Sequence, residues 1–405
     1  MNAKLERENT IPRWLGAVLV AAAQAIAFAA SVEPAPPPVI AIEDRVDSTY
    51  GSRIRQLRKD DGHEHNLYYI RNPWNADSTR IVVIHSDANQ KDWRVALCDG
   101  DGRFQKYLFP ISEYDWRIVW DRRNPDWLYT TRGSSLFRYD VAMGRADLLK
   151  KFKTPLRPTG ASLNQAGDRI LVATADWTFH SYSLPNMTEE RTFRPAVPKG
   201  YNSDKPAYTG YRNTIHVGYT STEPPGQGIL IYTDAGELVH EFKGMGGGGH
   251  WDFSPEGKLA YFKMPRFGPV GEDDVLEIRV VNLDGSDDRL LFSAPRSQTR
   301  YLQNLHLSWP DKVNDWFVAS LFPNASRLPK TYAPLLDEII QIKLDGTHRF
   351  LARSETAHAR AGERGVLGDM FWAQPLASPS ADGRRIFFNS VRSGTIDGCI
   401  LYVGP

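Results

Sequence analysis

The chain has 405 residues, 41% apolar and 24% charged, with 49 basic against 48 acidic side chains and a net charge of +1. That balance supports a globular core and excludes the basic excess of a nucleic-acid binder or of a polybasic membrane-surface segment. Two cysteines are too few for a disulfide framework; they could pair in an oxidising compartment, but Cys98 and Cys399 read as buried strand residues.

The first 30 residues read as a secretory signal peptide. Lys4, Arg7 and Arg13 give a positive start, "WLGAVLVAAAQAIAF" an apolar stretch, and Ala27-Phe28-Ala29 a small-residue cleavage site. The competing reading is an uncleaved anchor, but the stretch falls short of the ~20 apolar residues that span a bilayer. Residues 31–45, opening on "SVEPAPPP", read as a Pro-rich linker. The expected location is therefore periplasmic or secreted, with no stable membrane insertion after cleavage.

From residue 46 the chain is a succession of β-branched and aromatic runs. "TRIVVIHSD", "DWLYTTRG", "DRILVATAD", "NTIHVGYTS", "KLAYFKM", "DWFVASLF" and "RRIFFNSV" each follow a polar turn. A second run such as "LFRYDV", "GILIYTDAG", "LEIRVVNLDG", "IIQIKLDG" or "CILYVGP" comes after. Strands with turn signals at regular spacing indicate an all-β sandwich, barrel or propeller. A unit recurring every roughly 40–60 residues indicates a β-propeller. Seven units begin near His65, Asp115, Pro158, Pro206, His250, His306 and Gln374. The last runs out after three strands. "SRIRQLRK", before the first full unit, is expected to close the ring as the missing outer strand of the final blade, which removes the exposed edges at the seam.

In such a blade the innermost strand descends from one face and the second strand returns to it. Residues that open a first strand or end a second strand therefore gather at one mouth of the channel. His65, His85, Tyr129, Arg132, His250, His306 and Gln374 meet that condition, with Arg266 just past a second strand. His180, His216, His240, His348 and His358 do not, and read as structural or solvent-exposed. Imidazole and amide oxygen are ligands for Mn, Zn or similar ions, so His250, His306 and Gln374 form a candidate divalent-metal site (Mn, Zn or Ca). A histidine at a strand start also serves simply to cap backbone. The glycine run Gly246–Gly249 lets backbone pass close to neighbours and deliver His250 to a crowded mouth; it also reads as a flexible connection. Trp116 and Trp251 are placed to stack on sugar faces or to pack between blades.

These stretches resemble the propeller polysaccharide lyases, namely the oligogalacturonate lyases and, more distantly, the ulvan lyases. "HNLYYIRNPWNADSTRIVV" from His65 is similar to their first blade. "GHWDFSPEGKLAYF" is similar to the blade that carries a metal-binding histidine, "HLSWPD" at His306 to the next, and "AQPLASPSADGRRIFFNS" to the last. The resemblance implies a seven-bladed enzyme that cleaves uronate-containing chains by β-elimination, with a metal ligand at His250. It also marks departures. Gln374 and Leu376 stand where the family pattern His-Pro-His-Pro-Ser carries two metal-binding histidines, and no histidine lies near Lys205–Pro206, where the base is expected. The ulvan-lyase pattern instead implies His65 and His85 as a catalytic pair with Tyr129 and Arg132.

Elimination requires neutralisation of the uronate carboxylate, a base for the α proton and an acid for the leaving oxygen. His65, His85, Tyr129 and Arg132 supply those residue types. Two functions follow. One is an exported, monomeric polysaccharide lyase acting on acidic oligo- or polysaccharide. The other is a non-catalytic propeller, similar to the TolB-like group, that binds a ligand or protein partner. The sequence has no G-x-S-x-G elbow, H-E-x-x-H motif or P-loop.

Overall fold

The computed structural model of the chain describes residues 41–58, 62–89, 91–111, 118–157, 160–196, 202–220, 227–245, 250–264, 275–323, 332–356 and 371–404. The signal segment 1–30, residues 31–40 of the linker, Trp116, the run Gly246–Gly249, Arg266, His358 and the side chain of Lys205 lie outside the described residues.

Seven antiparallel sheets make the seven blades of a β-propeller, six of four strands and one of five. The innermost strands are, in blade order, His63–His65, Val119–Trp120, Ser162–Leu163, Asn202–Tyr208, Asp252–Phe253, Leu302–Ser308 and Ser378–Pro379. Each lies within a few residues of the unit start read from the sequence.

The apolar pattern explains the arrangement. A strand sandwiched between neighbouring blades is covered on both faces. Gln227–Tyr232 and Trp316–Pro323 are accordingly buried along their whole length and read as continuous apolar runs. The outer strand Arg145–Lys151 is part-exposed and carries four charged residues among its seven. Side chains from adjacent blades interdigitate. Phe262, Ile278 and Val280 of blade five meet Leu305, Leu307 and Phe317 of blade six, all essentially fully buried. Burial of each such side chain stabilises by about 1.5–3 kcal/mol.

Turns are written just as locally. In "SPEGK", Gly257 adopts φ +83°, and a Cβ placed there would lie 2.7 Å from Tyr211 of the preceding blade. The amide of Lys258 donates to Ser254 Oγ at 2.9 Å. Only glycine combines that backbone with that proximity, so the turn fixes where the innermost strand ends and the second begins.

The ring closes as the sequence predicts. Arg53–Arg58 pairs with the C-terminal strand Asp397–Tyr402, Ile54 opposite Leu401 and Gln56 opposite Cys399. It is not the outermost strand, however. Ala41–Val46, most of which the sequence assigns to the linker, pairs with Arg53–Arg58 as a fifth strand. Arg55 binds Asp44 through two hydrogen bonds of 2.7 and 2.9 Å, and Arg45 reaches Glu355 of the neighbouring blade at 2.7 Å. Cys98 and Cys399 are buried thiols on strands, as expected, with no disulfide between them.

Candidate functional site

The structure does not bring the sequence-predicted residues together as one catalytic set. In blade one, His65 is the last residue of His63–His65, not the opening one, and His85 is the penultimate residue of Arg80–Ser86. The antiparallel register pairs His65 with Ile84 and Glu64 with His85. Directly paired residues share a face and neighbours alternate, so His65 and His85 project from opposite faces of the blade. Their surroundings agree. His65 stacks on Trp372 at 3.9 Å and tilts against Trp93 at 5.2 Å, whereas His85 stacks on Tyr107 at 5.5 Å. The expected catalytic pair is therefore corrected: a one-residue offset in register separates the two rings.

His65 is also the wrong kind of base. It is fully buried, its Nδ1 donates to the carbonyl of Asn66 at 2.7 Å, and Nε2 has no hydrogen-bond partner among the described residues. Burial pushes its pKa down to about 3. A general base works best with a pKa near the working pH.

Tyr129 occupies the third position of Trp127–Arg132, in mid-strand and not at its end. Its ring is fully buried among Leu136, Leu163 and Ile170, between blades two and three. Its hydroxyl donates to Asp121 at 2.7 Å, and burial together with that carboxylate raises its pKa. It is a structural residue. Arg132 does end its strand; it donates to the carbonyl of Pro110 and lies over Phe109 at 5.5 Å.

His250 and His306 do meet. Their ring centroids are 4.2 Å apart with an interplanar angle of 31°. His250 is half-buried, two residues before the innermost strand of blade five, and its Nδ1 donates to the carbonyl of Leu305 at 3.0 Å. His306 is buried inside the innermost strand of blade six, against Tyr69 at 4.6 Å and Phe322 at 5.0 Å. Tyr68, itself stacked on the half-buried Phe371, completes the aromatic surround.

Among the described residues the donor set does not fit manganese or calcium. Leu376 is fully buried in an apolar cluster with Tyr68, Tyr69, Trp372 and Ile396, which fills the third histidine place with hydrocarbon. The main chain of Gln374 is tied to Phe371 and to the Asn389 side chain. Among the described residues no group of three or more His, Cys, Asp or Glu side chains is disposed to hold an ion. Two imidazoles packed ring against ring do not make the oxygen-rich shell that manganese or calcium takes.

Trp251 is buried between blades four and five, the packing role weighed against sugar stacking. His180, on the third strand of blade three, binds Glu190 of the outermost strand at 2.7 Å. His216 is buried, as its structural reading expects, and lines a cavity in the channel together with Arg71, Arg122, Asp252 and Asp311. Arg71, Arg122 and Asp311 each follow the innermost strand of their blade, whereas Asp252 opens its own.

No family model and no curated protein sequence matches the chain. Solved structures do. An oligogalacturonate lyase in complex with manganese superposes with a TM-score of 0.66 over 92% of this chain and 98% of its own, at 14% identity. The oligogalacturonate lyase of Vibrio parahaemolyticus superposes with a TM-score of 0.62 over 90% of this chain and 97% of its own, at 12% identity. At these identities the likeness is one of fold: the chain has the architecture of an oligogalacturonate-lyase-like propeller.

Proposed function

We propose that the protein is an exported, monomeric propeller that binds uronate-containing oligosaccharide at the upper mouth without cleaving it. The observation that carries this reading is the His250–His306 pair beside a buried Leu376. The mouth keeps two histidines and an aromatic surround, while hydrocarbon takes the third metal position and the remaining candidates for base and acid are scattered. Histidine N–H groups and a half-exposed aromatic such as Phe371 suit the carboxylate and ring faces of an acidic sugar. Elimination needs a base near working pH beside a group that neutralises the carboxylate; His65, with its pKa near 3, and the hydrogen-bonded Tyr129 supply neither.

The lyase-like fold supports an acidic oligosaccharide as the ligand, and the N-terminal segment supports export. Titration calorimetry with oligogalacturonides and ulvan fragments tests the reading. Saturable binding that His250→Ala weakens at least tenfold is expected. Absence of binding across both series, or binding indifferent to His250→Ala, would overturn it.

A further inference from the structure

At the lower face the innermost strands end, and the residues that follow them line a cavity of ≈ 160 Å³ to which all seven blades contribute. That is about the size that accommodates one six-membered ring. Tyr69, whose ring lies against His250 and His306, also lines this cavity.

Its charged lining is unusual for an interior. Arg71, 7% exposed, lies within electrostatic reach of Arg122. Arg122 donates to Gln165 at 2.8 Å and pairs with Asp311 at 2.9 Å; Asn72 donates to the other oxygen of Asp311 at 2.9 Å. Arg122 and Asp311 both keep 28% of their side-chain surface exposed, so these anchored groups still face open space. Asp252 accepts the backbone N–H of Trp309 at 2.7 Å. His216 closes one side, and the exposed Lys312 stands at the rim. The walls between them include Trp74, Trp120, Tyr208 and Trp309.

Two guanidiniums held together in a low-dielectric channel repel each other, and a burial cost adds to that repulsion. The two effects already lower the Arg71 pKa to about 10. An anion between them relieves both, because guanidinium and carboxylate match in shape and charge. The carboxylates of Asp252 and Asp311, the latter already paired with Arg122, can accept from hydroxyl groups, and flat aromatic walls accept a ring.

We propose that this cavity is a binding site for a hydroxylated organic acid of one-ring size, its carboxylate received by Arg71 and Arg122 and its hydroxyls by Asp252 and Asp311. The assignment rests on the cavity alone and is independent of the ligand bound at the upper mouth.

The test is calorimetry on the mature protein with D-glucuronate and quinate as probes. D-glucose serves as the neutral control, benzoate as an acid without hydroxyls and inorganic phosphate as a bare anion. Saturable binding of at least one probe is expected, with glucose, benzoate and phosphate each at least tenfold weaker. Arg71→Gln should lose at least tenfold in affinity for quinate. Lys312→Glu, at an exposed position where folding is not at risk, should weaken binding at least threefold. No binding of either probe, a control as tight as the probes, or an affinity unchanged in both charge variants would overturn the site.

Discussion

The side-chain amide of Gln56 donates a 2.7 Å hydrogen bond to the carboxylate of Asp397, a residue 341 positions away and equally buried. That bond crosses the seam of the ring, where the strand Arg53–Arg58 lies against the last strand of the chain. Breaking it leaves a buried carboxylate with fewer donors, held by Ser393 and by Thr395 at 3.1 Å. Gln56→Leu should therefore destabilise the domain by about 1–3 kcal/mol in denaturant unfolding. Deleting residues 41–58 should lower the stability of all blades together, because it re-exposes the edge of Asp397–Tyr402. A cooperative melt that is unchanged by the deletion would contradict the closure.

Tyr129 separates structure from catalysis at the upper mouth. Removing its hydroxyl takes one buried donor from Asp121, which keeps the backbone amides of Arg123 and Asn124, both at 2.7 Å. Tyr129→Phe is expected to cost about 1–3 kcal/mol of stability and to leave oligosaccharide affinity within twofold. Lost affinity in a protein that is otherwise as stable as wild type would return Tyr129 to the binding machinery.

How far the sequence was legible divides along the same line. Strand existence, blade count and the closing strand were readable because each depends on local alternation and on turns such as "SPEGK", whose glycine requirement is strictly local. The site was less readable. Topology states which mouth a strand end reaches, but not which face of the blade a side chain leaves from. His65 and His85 differ by one step of register, and one step is enough to put them on opposite faces. Leu376 was visible as a departure, whereas its burial with Tyr68 and Trp372 depends on contacts far apart in the chain. Arg71, Arg122, Asp252 and Asp311 come from four different blades, and only the closed ring brings them to one cavity.

The buried imidazole of His65 makes a pH prediction with a definite sign. Its folded pKa, about 3, lies below the ordinary histidine value of 6.5. Between those values the unfolded chain binds a proton that the folded protein does not. Stability is therefore retained above pH 6.5 and falls as pH drops from 6.5 toward 3, by about 1.4 kcal/mol per unit from this group. His65→Phe, which keeps a ring against Trp372, should flatten the stability profile in that window relative to wild type. Parallel profiles for the two proteins would contradict the assignment.

Manganese content follows from the donor set. Protein purified without chelator, and the His250→Ala variant, should both carry far less than one metal per chain by elemental analysis. Near-stoichiometric metal in wild type that His250→Ala removes would show that His250 and His306 recruit donors beyond those described.

The central claim is binding without cleavage, and mass spectrometry of the saccharide after prolonged incubation with the protein tests it most directly. Elimination breaks the glycosidic bond without adding water and leaves one fragment with a C4–C5 double bond conjugated to its carboxylate. The account predicts that oligogalacturonides and ulvan fragments are recovered at their starting lengths, with or without added Mn²⁺ or Ca²⁺, under conditions where calorimetry shows them bound. Unsaturated fragments accumulating with wild-type protein, and not with His250→Ala, would contradict it.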